Sequence, residues 1–106
     1  MKVGDYLRFG PDVYNLFKKL LLGFKLYFSG DVLNSEGRKV FGEAVRMLVY
    51  EHHEYKDLIT RVRRNPTLEN VMKIARLVLG DEAEKMLKIG IYGLYVYYDY
   101  EKCQDE

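Results

Sequence analysis

Apolar and polar positions in this chain recur with a helical period. From Ser35 to Arg64 (SEGRKVFGEAVRMLVYEHHEYKDLITRVRR), Phe41, Val45, Leu48, His52, Tyr55, Ile59 and Val62 step alternately by four and three residues. At 3.6 residues per turn such a spacing gathers all seven on one helix face. The stretch has no proline, and its only glycines, Gly37 and Gly42, fall in the first turns. The pattern therefore predicts one uninterrupted helix over 35–64, capped at its start by Asn34 or Ser35. Asn65-Pro66 ends it, because a residue before proline avoids helical geometry.

The flanking segments extend the same reading. Residues 1–10 look like an extended arm, punctuated by Gly10-Pro11-Asp12. A first helix is expected over 12–29, ending at Gly30 in the left-handed conformation. Its stripe of Val13, Phe17, Leu20, Phe24 and Tyr27 is widened by Leu16, Leu21, Leu22, Leu26 and Phe28. A helix so apolar belongs at the centre of a core or against a second chain. Thr67 is placed to cap a third helix over 68–79, with Leu68, Val71, Met72, Ala75, Leu77, Val78 and Leu79 mostly inward and Gly80 closing it. Asp81 and Glu84 form a capping-box-like start to a fourth. Its continuation, KMLKIGIYGLYVYYDYEK, is rich enough in tyrosine and isoleucine to favour a strand by propensity. Leu87, Ile91, Leu94 and Tyr98 keep helical spacing, and helix is the expectation, with Gly90 and Gly93 allowing a neighbour close. These elements add up to an all-α protein, a small four-helix bundle forming one domain over residues 1–106.

Composition changes this picture little, and charge distribution changes it more. A chain of 106 residues, 48% hydrophobic, supports one core and is not of disordered composition. Net charge is only +1, so no global field draws it to nucleic acid or membrane. Locally, residues 56–76 carry an excess of +4 and residues 81–106 an excess of −4. Cys103 is the single cysteine and cannot close an internal disulfide. The opening residues lack the apolar core of a leader peptide, and the greasiest run, Leu16 to Phe28, is short and carries three lysines. The expectation is a cytoplasmic protein with no membrane partner. A charged fraction of 31% and a single glutamine fit a heat-adapted source.

Motif chemistry is sparse. There is no Gly-rich phosphate loop, no Cys/His zinc spacing and no HExxH, and His53 with Asp57 supplies too few ligands for a metal. No cofactor or metal is expected. His52, on the apolar seam, reads as a packed histidine. On the predicted continuous helix, Arg46, Tyr50, His53 and Asp57 share a second face, either as a plain solvated surface or as a site. An arginine and a histidine so spaced resemble the HEPN ribonuclease signature, although Met47 stands where that family carries a polar residue. The resemblance implies metal-independent RNA cleavage, His53 acting on the ribose 2′-hydroxyl and Arg46 holding phosphate charge. The other candidate is a basic surface of Lys56, Arg61, Arg63, Arg64, Lys73 and Arg76, able to follow a phosphate backbone or simply to complement a helix dipole.

The order NSEGRKVFGEAVRML, ITRVRRNPTLENVMKIARLVL, EKMLKIGIYGLYVYYDYEK resembles the small helical subunit of type III-A CRISPR effector complexes, the Csm small subunit of antiviral defence. Arg38, Lys39 and Phe41 match that family's first element, Arg61 to Arg64 its second, and Val96, Tyr97 and Tyr100 its third. The resemblance implies a non-catalytic subunit that lays Arg38, Lys39 and the basic middle along RNA. It also implies contacts with itself or partner subunits through the first and fourth helices. A third reading is a dimeric helical interaction module with no nucleic-acid partner. Both nucleic-acid readings depend on the one uninterrupted helix over 35–64, which shields its apolar seam and holds its cations in water.

Overall fold

A computed structural model describes residues 9–93. Its first helix, α1 (Pro11–Leu22), starts with Pro11 in the first turn, where a missing N–H costs nothing. Val13, Phe17, Leu20 and Leu21 on it are at most 1% exposed. Helices α3 (Ser35–Glu51), α5 (Leu68–Leu79) and α6 (Glu82–Tyr92) all pack against α1. Of the two places open to so apolar a helix, the structure uses the centre of the core.

The first helix is shorter than its apolar run. It ends at Leu22, and after Gly23 a single turn, α2 (Phe24–Tyr27), leads into a two-stranded ribbon of β1 (Phe28–Ser29) and β2 (Val32–Leu33). Phe28 faces Leu33 and Ser29 faces Val32, joined by Gly30-Asp31. Gly30 has φ 64°, the positive value that the first residue of a tight hairpin turn requires and glycine supplies freely. Gly30 thus turns a hairpin instead of closing a helix. The ribbon is also tied to the distant α5 entry. Leu33 N–H donates to the Pro66 carbonyl at 3.0 Å and Leu68 N–H to the Asp31 carbonyl at 2.6 Å.

Helix α3 begins as its sequence predicts: Asn34 Oδ1 accepts from Gly37 N–H at 2.8 Å, while its Nδ2 donates to the Leu26 carbonyl at 2.8 Å. The predicted rod to Arg64 does not form. Helix α3 stops at Glu51, His52 leaves helical geometry (φ −135°, ψ 82°), a 3-10 turn occupies His53–Tyr55, and α4 (Lys56–Arg64) follows. The bend contains neither glycine nor proline. Its cause is tertiary. Buried Phe9 sets its ring 5.0 Å from that of His52 and 6.5 Å from that of Tyr55, and Gly10 N–H donates to Glu51 Oε1 at 3.3 Å. The seam itself survives, for Phe41, Val45, Leu48, Ile59 and Val62 are all at most 4% exposed.

Downstream, Thr67 Oγ1 caps α5 by accepting from Asn70 N–H at 3.2 Å, and Gly80 (φ 62°) closes it. Leu77, expected to be mostly inward, is 38% exposed. Helix α6 starts where expected, but the capping box is absent: Asp81 is in helical geometry without a side-chain cap, and Glu84 is held by Arg76. Gly93 (φ 87°) ends α6. Leu94, Tyr98 and the rest of residues 94–106 lie outside the described residues, as do residues 1–8. The class is mainly helical, and the described residues form six α-helices, a 3-10 turn and a two-stranded ribbon where four helices are expected from the sequence.

Two glycines, Gly37 and Gly90, sit where a Cβ would overlap a neighbouring carbonyl. At Gly90 a Cβ would overlap the Leu21 carbonyl oxygen, so α6 crosses α1 too closely for any side chain. Gly42, by contrast, faces open space within α3. Gly90→Ala should lower unfolding free energy by ~1–3 kcal/mol through overpacking. Gly42→Ala should raise it by ~0.5–1 kcal/mol through helix propensity. Urea unfolding followed by circular dichroism measures both.

Candidate nucleic-acid interface

Helix α4 divides its residues more sharply than any other helix among the described residues. Ile59 and Val62 are buried, and Leu58 is half-buried. Lys56, Asp57, Thr60, Arg61, Arg63 and Arg64 are all exposed. The division follows from a short amphipathic segment whose apolar residues lie on the seam continuing from α3. The helix packs against the 3-10 turn and α5, leaving its outer side to solvent. Among the described residues, no carboxylate lies within ion-pairing distance of Lys56, Arg61, Arg63 or Arg64. With Asp57 the one acid on the helix, the face carries a net +3. Arg61, Arg63 and Arg64 lie in the last turn, where cations also complement the partial negative charge of the helix end.

The other predicted cations are placed differently. Arg38 and Lys39 are exposed near the start of α3, on the far side of the bend from α4, and Lys39 Nζ stands 3.4 Å from Glu36 Oε1. Lys73 is exposed on α5. Arg76 is committed within the fold: its Nε donates to Glu84 Oε1 at 2.6 Å. The Glu84 hydrogen bond, opposed by slight desolvation and aided by charge attraction, raises the guanidinium above its ordinary value. An arginine so held stays charged, yet its charge is already balanced.

The Arg46–His53 pairing does not survive as a shared helix face. Arg46 is exposed on α3, His53 is exposed on the 3-10 turn, and His52 intervenes in extended geometry. The twofold-turn alignment that put the two side chains in line required continuous helix. Asp57 falls on α4 and Tyr50, 89% exposed, stays with Arg46 on α3. His52 is a packed histidine, set against Phe9 with its Nδ1 3.7 Å from Glu54 Oε2. Among the described residues, no group of three His, Cys, Asp or Glu could hold a metal.

A cleft the sequence did not suggest opens beside Arg46. It has a volume of about 400 Å³ and lies between the start of α1 and the end of α3, lined chiefly by Pro11, Val13, Met47 and Tyr50. Asp12 and Glu51 line it together with Arg46, so its charge does not favour an anion. Two segments some 35 residues apart build it, and no local spacing signals such a contact. Gly10-Pro11 is the only hint in the sequence.

Among the described residues, no helix is long and apolar enough to cross a membrane. No protein-family model matches the chain, and no curated protein or solved structure matches it significantly.

The Phe9 ring holds the bend, so Phe9→Ala should cost ~3–5 kcal/mol of stability, the range for emptying a buried aromatic site. Half-exposed Tyr55→Ala should cost less. Chemical denaturation of the two variants beside the parent tests the order.

Proposed function

We propose that this chain is a non-catalytic helical subunit that holds RNA by its phosphate backbone, with α4 as the contact surface, within an assembly of itself or partner subunits. The single observation carrying this reading is the exposed quartet Lys56, Arg61, Arg63 and Arg64, all on one helix and without carboxylate partners among the described residues. Charge-only contacts of this type read no bases, so binding is expected to be largely independent of sequence. The reading is the one that the resemblance to type III-A small subunits implies, narrowed by the bend. Arg38 and Lys39 no longer share an element with the quartet, and Arg76 is discounted because Glu84 already holds it. The ribonuclease alternative rested on Arg46 and His53 sharing a face, and in the bent chain they do not share one.

The test is fluorescence anisotropy with a labelled single-stranded RNA of about 20 nucleotides, titrated at several salt concentrations. Binding should weaken steeply with salt, by ~0.7 in log–log slope for each phosphate neutralised. Arg61, Arg63 and Arg64 changed together to glutamine should reduce that slope by about 2. Arg76→Gln should leave it nearly unchanged. Thermal melting of the triple variant controls for the lost helix-end charges, worth ~0.3–1 kcal/mol each. A parent protein that gives no anisotropy change at low salt would falsify the proposal.

A further inference from the structure

The bend between α3 and α4 interrupts a pattern written for a straight helix. Seven seam positions from Phe41 to Val62 keep alternating four- and three-residue steps straight through it. That is the spacing of a helix packed along its whole length against another. No glycine or proline lies between Glu43 and Asn65. The backbone at His52 (φ −135°, ψ 82°) nearly repeats that at Asn65 (φ −140°, ψ 76°). Asn65 is held there by the following proline. His52 has no such neighbour; it takes the same geometry packed against the Phe9 ring, with the Gly10–Glu51 hydrogen bond beside it. The bend also breaks the helical ladder, because His53, Glu54 and Tyr55 no longer donate to the carbonyls of Val49, Tyr50 and Glu51.

We propose that residues 52–55 are a hinge through which the chain exchanges its second half with another copy of itself. In the exchanged dimer α3, the turn and α4 fuse into one helix over 35–64, and α5 and α6 pack on the partner copy's α1. Straightening restores the three ladder hydrogen bonds, at the loss of the Tyr55 N–H bond to the His52 carbonyl, and leaves the seam on one face. The contacts of α5 and α6 with α1, including the close crossing at Gly90, are re-formed between copies and not lost. An exchange of identical elements needs no new surface, which is why a second copy is the occupant. The bent monomer is the closed form, secured by Phe9.

Proline at position 53 separates the two forms. The His52 backbone already suits a following proline, and the first residue of a 3-10 turn tolerates its fixed φ. Interior to a straight helix, the same proline removes a hydrogen bond and clashes. Size-exclusion chromatography with light scattering, on the full chain refolded at increasing concentration, should show a dimer fraction that grows with concentration. His53→Pro should lower the dimer association constant about a hundredfold or more. His52→Leu, which keeps the seam and removes the ring contact, should raise the dimer fraction. Spin labels at Glu43→Cys and Thr60→Cys, with Cys103→Ser, give an independent reading. In the isolated dimer, diluted with unlabelled copies, their separation within one chain should match ~26 Å of straight helix. The proposal fails if both the parent and His52→Leu stay monomeric throughout. It fails equally if His53→Pro folds with its dimer undiminished, or if dimer and monomer give the same label separation.

Discussion

Four fully buried side chains of α1, Val13, Phe17, Leu20 and Leu21, have to be covered, and α1 dictates the rest of the fold. Twelve residues of α-helix are only ~18 Å long. A straight helix of thirty residues would extend ~45 Å, more than twice the length it had to cover. Ile59 and Val62, in its second half, would then project past the end of α1 with nothing apolar to meet. Bending at His52 shortens the long segment and keeps both residues buried. The cost is the helical hydrogen bonds of His53 and Glu54, Tyr55 N–H having turned to the His52 carbonyl, and the Phe9–His52–Tyr55 ring cluster offsets it.

The same constraint governs the close contacts. Surrounding so short a helix with three others brings backbones near enough that side chains must be absent at chosen points. Gly90 meets the Leu21 carbonyl, and Gly37 meets that of Tyr27. At Gly37 the packing and the cap coincide, since its N–H is the one that Asn34 Oδ1 accepts. Asn34 also ties back to Leu26, so one side chain fixes the entry of α3 and the exit of α2. The ribbon and its links to Pro66 and Leu68 then set where α5 begins. Local capping and long-range placement are here the same interactions.

What was legible in the sequence follows from this division. Asn34, Thr67, Gly80 and Asn65-Pro66 were read correctly because a cap or a stop acts over three or four residues of chain. Gly23 and Gly30 were misjudged together: the apolar run Leu16 to Phe28 hides a helix end at Leu22, and the hairpin turn at Gly30-Asp31 is mistaken for a helix cap. The bend at His52 had no local signal, since its cause lies at Phe9, more than forty residues earlier. Its consequence for the site was direct. Arg46 and His53 are joined only by a period count that assumes unbroken helix, whereas the cations of α4 need only their own nine residues to be helical. The capping box failed for another reason, as Glu84 found a better partner in Arg76 across the α5–α6 turn than the α6 N-terminus would have been.

That last exchange bears on how a nearly neutral chain can present a cationic surface. A net charge of +1 is a sum over the molecule, but at physiological ionic strength a charge is felt over only ~8 Å. Acids on α6 therefore matter to α4 only where they come within that range or pair directly. Glu84 spends itself on Arg76, one helix removed from the quartet. The outer side of α4 keeps four cations against Asp57, a local field that an approaching polyanion would meet despite the small net charge of the whole. Because α4 packs chiefly on the turn and α5 and its charged residues are exposed, its outward side offers room for a partner as extended as a phosphate backbone. The break that removed one candidate site is also what sets this helix apart as a separate, accessible limb.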